Sequence, residues 1–467
     1  MRLRPPGDLP WANAAILYVV VFLLAAAVPV GWQLVRTPVD ATGPAETVRP
    51  VSPIPVSSTP SQDCGDKGDL VVAAGEDIST GGVRRELLDD WNRGLRPSGH
   101  PKAVLLELSG STDVARAQMA APAQVGSCRY DILLLDVAWM AEFARHGYIR
   151  PIGPSHPERF VDGLLRAAEI DGEQYGVPFA ADAPLEFHRR DAGQGGYLLQ
   201  LTDQEAGTIN FLESVELGGE QVLHGPDRTD VRLDGDTVRA LTSATRTSFT
   251  NGATVPVLRE SLDLTEDLAV EAFKAGAIDG RQVAYMRNWP IAFHRMAAEP
   301  RMRYPDGSLR FEVRAITGGV LGGSVLAISR FIPQHKLEPA VRLIEHLTGV
   351  EAQTRLFACG GYGPVLRQVY DNYRAGHGEA CPHDGGTEAV AASRAELADL
   401  AGELRRAVES ARTRPKSPYY AQFSEAFRRC ARRAFQAPDV EPETFLPAQD
   451  VLRSALEGRV PDGSPPC

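Results

Sequence analysis

Asp131-Ile132-Leu133-Leu134-Leu135-Asp136-Val137-Ala138-Trp139-Met140-Ala141-Glu142-Phe143-Ala144-Arg145-His146 is the stretch whose reading decides the fold. Its first six residues place an apolar run between two carboxylates, the pattern of a short strand buried on both faces. Residues 138–146 then space their apolar side chains as a helix does. The same alternation appears upstream. Asp69-Leu70-Val71-Val72-Ala73-Ala74-Gly75 reads as a buried strand, and 83–93 follows with Leu87, Leu88 and Trp91 at helical spacing. Val104-Leu105-Leu106-Glu107-Leu108 is a second strand, ending in Ser109-Gly110-Ser111-Thr112, and 113–121 suits a helix. Strands alternating with helices predict an α/β fold built from βαβ units, with a parallel sheet covered on both faces. In such sheets ligands sit beyond the carboxyl ends of the strands. Glu76 and Asp77, Ser111 and Thr112, and Asp136 and Trp139 all follow strand ends. The competing reading of such Ser, Thr and Asp residues is helix N-capping.

The chain has 467 residues, 49 basic against 60 acidic side chains and a formal charge of −11. Apolar residues make up 43% and charged residues 23%, which is ordinary globular material. The acidic balance argues against nucleic acid as a partner, because binding a phosphate backbone needs a basic face. Mean hydropathy is mildly negative, but residues 9–35 contain no Asp, Glu, Lys or Arg. That run covers the roughly 20 residues a helix needs to cross a bilayer core. Arg2 and Arg4 precede it and favour a cytoplasmic N-terminus. The expected organisation is a cytoplasmic N-terminus (1–10), a transmembrane anchor or signal sequence (11–35) and an extracellular Pro-rich linker (36–67). A cleaved signal peptide is the alternative, since Ala25-Ala26-Ala27 offers small residues to a peptidase. The ectodomain is extracellular and anchored in the first case, secreted in the second. Pro38, Pro44, Pro50, Pro53, Pro55 and Pro60 make the linker an extended spacer.

Six cysteines in an exported chain suggest disulfides. Their order suggests Cys64 with Cys128, Cys359 with Cys381, and Cys430 with Cys467. Cys64 precedes the first strand and Cys128 the third, so those two can bond if the strands are neighbours.

Further blocks carry a resemblance. They are 131–152, Gly172-Glu173-Gln174-Tyr175-Gly176-Val177-Pro178-Phe179-Ala180-Ala181-Asp182, Ala284-Tyr285-Met286-Arg287-Asn288-Trp289-Pro290, Leu321-Gly322-Gly323-Ser324-Val325, Gly360-Gly361-Tyr362-Gly363-Pro364, and Arg414-Pro415-Lys416-Ser417-Pro418-Tyr419-Tyr420. In this order, over about residues 68–458, the chain resembles the extracellular solute-binding proteins of ABC sugar importers, in their maltose- and trehalose-binding branch. The resemblance implies a periplasmic-binding-protein-like fold with two interrupted α/β lobes and a hinge: lobe 1 from 68–178 and 319–362, lobe 2 from 179–318 and 363–458, and a tail at 459–467. It implies a small polar solute, a saccharide, as ligand and ABC permease subunits as partners, with no cofactor, no metal and no catalysis.

A sugar offers hydroxyls and C–H ring faces, so its binder needs polar side chains and aromatic rings. The family pattern, carried over residue by residue, suggests Glu76, Ser111 and Asp136 from lobe 1. It suggests Asp182, Trp289 and Tyr420 from lobe 2, Gly323 where backbone approaches the ligand, and Arg367 after the Gly-Gly turn. Trp289 also reads as a lobe-core residue, and Asp182 as a hydrogen-bonding residue beside the hinge. Phe187-His188 stands where relatives often carry Tyr-Tyr, and Pro364-Val365-Leu366 where they carry Pro-Thr-Arg. Fewer stacking rings leave open a different solute, or a membrane-tethered sensor or interaction protein that reuses the fold. GxSxG, Walker and HExxH motifs are absent. His377, Cys381, His383 and Asp384 match no common zinc spacing.

Overall fold

The computed structural model describes residues 68–459, apart from 80, 109–110, 245–246, 251–252, 382–391 and 437–440. The expected membrane segment, linker and C-terminal tail lie outside the described residues. Among those described, no helix is long and apolar enough to cross a membrane.

The apolar runs form the strands that the sequence predicts. β1 (Leu70–Gly75), β2 (Ala103–Leu108) and β3 (Ile132–Asp136) pair in parallel, with β1 between the other two. The chain then returns through β4 (Val177–Asp182). It leaves for a second sheet made of β5 (Leu185–Arg189), β6 (Gly196–Leu198), β7 (Ala277–Ile278), β8 (Arg281–Asn288) and β9 (Phe311–Ala315). It comes back as β10 (Gly322–Ile328), which inserts between β3 and β4. The first sheet is therefore ordered β2-β1-β3-β10-β4. β10 runs antiparallel to both neighbours, so the sheet is mixed and not wholly parallel as expected. The physical reason is direction of entry: β10 arrives from the second sheet and starts where β3 and β4 end.

The first sheet is fixed at its base by Asp131, which is 1% exposed. Its carboxylate accepts from the Val71 amide at 2.8 Å and pairs with Lys336 at 3.0 Å. Lys336 Nζ also donates to the Asp69 carbonyl at 2.9 Å. A buried charge is tolerated only when paired and hydrogen-bonded in this way. The helix Gln334–Leu347 thereby docks on the starts of β1 and β3.

Cys359 bonds Cys381 as expected. Cys128 and Cys430 are also disulfide-bonded. The pairings expected for them each involve a cysteine outside the described residues. With Cys381 in a disulfide, the His377–Asp384 stretch loses its thiolate, and no group able to hold a metal occurs among the described residues.

Candidate functional site

The register of β10 builds the centre of the site. Gly322 pairs with Asp182 on β4, and Ser324 with Asp136 on β3. Two carboxylates thus flank the start of the strand that enters from the second sheet. Trp289 follows the last residue of β8 in the other sheet, and its ring reaches the same point. A Cβ placed on Gly322 would lie 3.1 Å from Asp182 Cβ and 3.3 Å from the Trp289 ring. Asp182 and Trp289, both expected from sequence, are brought together there. Gly323, also expected, has a different reason to be glycine. Its φ is +112°, and a Cβ would sit 2.2 Å from the Ala180 carbonyl of β4. The close approach of its strand partner by itself requires glycine there.

Trp289 is held on two sides. Its Nε1 donates to Glu266 at 2.7 Å. The Arg287 guanidinium lies 3.8 Å from its ring centroid. Arg287 is 1% exposed and makes a forked pair with Glu213, two bonds of 2.8 Å. Trp289 as a whole keeps partial exposure. Asp182 has no side-chain hydrogen bond among the described residues, and burial pushes its carboxyl up to about 7. Asp136 and Glu266 add to that rise, while Arg287 and Arg414 oppose it. Near neutral pH this carboxyl therefore both donates and accepts, as hydroxyl recognition requires. Glu266 is also raised, by its burial.

Beside this point Arg414 ties the two parts of the molecule. One guanidinium nitrogen donates to Asp136 and another to Glu205 at 2.9 Å. Glu205 begins the helix Glu205–Leu217 and also accepts from the Tyr420 hydroxyl and, at 2.6 Å, from Ser424. Tyr420, expected as a ligand contact, is 1% exposed and spends its hydroxyl on Glu205. Its ring packs on Trp139, 5.6 Å between centroids. A small recess beside Arg414 is lined by Val137, Ala138, Leu321 and Pro415 and includes neither Asp182 nor Trp289.

The other expected residues lie further out. Glu76 is exposed just past β1. Its neighbour Asp77 accepts from the Tyr362 hydroxyl at 2.8 Å and pairs with Arg84 at 3.3 Å. Burial opposes ionisation of Asp77, but Arg84, Ser79 and Tyr362 outweigh it and hold the carboxyl below its usual range. Ser111 occupies the N-cap of the helix Thr112–Gln124 without a side-chain cap bond. Arg367 pairs with Asp162 at 2.6 Å on the outside of the molecule, and the structure does not bring it to Asp182 or Trp289.

Sequence reasoning did not single out Gly322, Arg287, Glu205, Glu213, Glu266 or Arg414. One signal was available. The helix Glu205–Leu217 is buried on nearly every side, and glutamates in such a helix need cations of their own.

Two α/β sheets joined by crossing strands, with carboxylates and a tryptophan beside the crossing, make a two-lobed α/β fold. Solved structures share it: maltose-bound MalE3 of T. maritima matches with a TM-score of 0.64 at 18% identity, over 84% of this chain and 100% of that one. The GacH receptor of Streptomyces glaucescens, studied unliganded and with acarbose, gives 0.63 at 17% over 84% and 100%. The maltotriose-binding protein of Thermus thermophilus, bound with maltotriose, gives 0.59 at 15% over 84% and 99%. No family model and no curated protein matches the chain.

Proposed function

We propose that this protein is an extracytoplasmic solute-binding protein, not an enzyme, that captures a carbohydrate or similar polar solute between its lobes and presents it to an ABC permease. The observation that carries this reading is the convergence of Asp182 and Trp289 over Gly322. A carboxyl able to donate and accept beside an indole face suits a ring that carries hydroxyls on its edge and C–H on its face. Asp136 is the third contact, with Glu76 and Ser111 on the first-lobe side. The lobes are 68–178 with 319–362 and 179–318 with 363–458. Residues 11–35 anchor the chain with its N-terminus cytoplasmic, or are cleaved to release it. Isothermal titration of the protein with maltose, maltotriose, trehalose and acarbose tests the reading. Saturable heat with one of them supports it, and neither heat nor a thermal shift with any sinks it.

A second reading rests on Arg414. It engages Asp136 and, through Glu205, the Tyr420 hydroxyl, so part of the expected ligand set is spoken for by the chain itself. That favours a membrane-tethered sensor or interaction protein using the fold. Permease genes beside this one support import, and a lone kinase or regulator gene supports sensing.

A further inference from the structure

Arg287 has no part in the expected ligand set, yet it is a buried, firmly held cation beside the site. Its fork to Glu213 uses Nε and one terminal nitrogen at 2.8 Å each. Glu213 in turn accepts from the Val320 amide at 3.1 Å, on the segment that carries the chain back into the first sheet. Arg287 is thus fixed to the helix Glu205–Leu217 and to a crossing segment together. A guanidinium plane held this rigidly presents its face to an aromatic ring at little further entropic cost. The ring it meets is Trp289, at 3.8 Å.

The indole is bounded on three sides. Arg287 covers one face, Glu266 takes the Nε1 edge at 2.7 Å, and the far edge lies against Gly322. Arg287 is 1% exposed, whereas Trp289 is partly exposed. We propose that Arg287 is a positioning residue that closes one face of Trp289, so that the site offers a single aromatic face and takes one ring of a polar solute against it instead of clasping the indole between two. This inference rests on the solute-binding reading for its ligand, but its geometry is tested separately.

The test uses acrylamide quenching of the Trp289 emission, taken as wild type minus W289F. Arg287→Met replaces the rigid plane with a flexible chain that no longer fixes the ring, so Trp289 quenching should rise. Truncating Arg287 strands the Glu213 carboxylate in the core, so Glu213→Gln/Arg287→Met is measured alongside; its amide still accepts from Val320, and it should show the same rise. Arg287→Lys, which cannot lie flat, should fall between. With whichever saccharide the wild type binds, the double variant should lose about tenfold in affinity while melting cooperatively. Unchanged Trp289 quenching in a folded double variant overturns the proposal, as does saccharide affinity equal to wild type. If the wild type binds no saccharide, the solute-binding reading fails by itself, and the quenching still decides the role of Arg287.

Discussion

Asp182 and Trp289 belong to different sheets and meet over a single α-carbon. Asp182 Cβ and the Trp289 ring lie 3.1 and 3.3 Å from the position a Cβ would take on Gly322. The absence of a side chain there leaves room between a carboxyl and an indole.

Gly322→Ala puts a methyl into that space. The backbone at 322 does not lie in the left-handed region, so the variant should fold, with about 1–3 kcal/mol lost to overpacking. Saccharide affinity should fall by more than about tenfold as the ring and carboxyl are pushed apart. Chemical denaturation and isothermal titration read the two effects separately. Undiminished affinity would move the ligand away from this point.

Burial raises the Asp182 carboxyl from its ordinary 3.8 to about 7 in the folded protein. Between those values the folded state holds a proton that the unfolded chain has released. Stability contributed by this group therefore falls as pH rises from about 4 to 7, by at most about 4 kcal/mol. Asp182→Asn removes the dependence. The variant should match wild type near pH 4 and exceed it at pH 8 in urea midpoint.

His294 shows the opposite sign. The helix Ile291–Ala297 buries it against Phe357 and Gly361, and burial lowers its pKa from 6.5 to about 4. Below 6.5 the unfolded chain takes up a proton before the folded one does, so stability falls as pH drops through this window. The loss approaches about 3 kcal/mol at its full extent. His294→Phe should flatten the acid limb of the stability profile between pH 6.5 and 4. An unchanged limb would show that other groups produce it.

Arg414 is 4% exposed and serves Asp136 and Glu205 together. Arg414→Ala leaves two carboxylates without their cation and should cost about 3–5 kcal/mol. Arg414→Lys keeps the charge but loses the fork, and should recover only part of this. If alanine and lysine variants unfold at the same denaturant concentration as wild type, Arg414 is not the tie between the lobes.

The legible part of the fold was carried by apolar runs. Leu70–Gly75 and Ile132–Asp136 became parallel strands with their side chains largely buried, and Ala103–Leu108 joined them at the sheet edge, where Val104 stays exposed. The antiparallel entry of β10 was not legible, because its direction depends on a crossing from the other sheet and not on its own composition. In the site, Asp182 and Trp289 were named from sequence and are adjacent. Tyr420 was named but spends its hydroxyl on Glu205. A side chain's chemistry shows in the sequence; which partner consumes it does not.

By itself, the sequence determined an α/β chain with two interrupted lobes, and the residue types a polar solute needs. The alternation of strands and helices follows from periodicity, a local property, whereas the lobes and the site residue types are what the resemblance implies. Only the tertiary structure decided that Gly322, rather than Gly323, opens the space between Asp182 and Trp289. It alone placed Arg287 under the indole and Arg414 between Asp136 and Glu205. Apart from Arg287 and Trp289, which are neighbours in the chain, these groups join positions tens to hundreds of residues apart, and a buried charge selects its partner by geometry in the folded interior. Spacing along the chain carries no record of that choice.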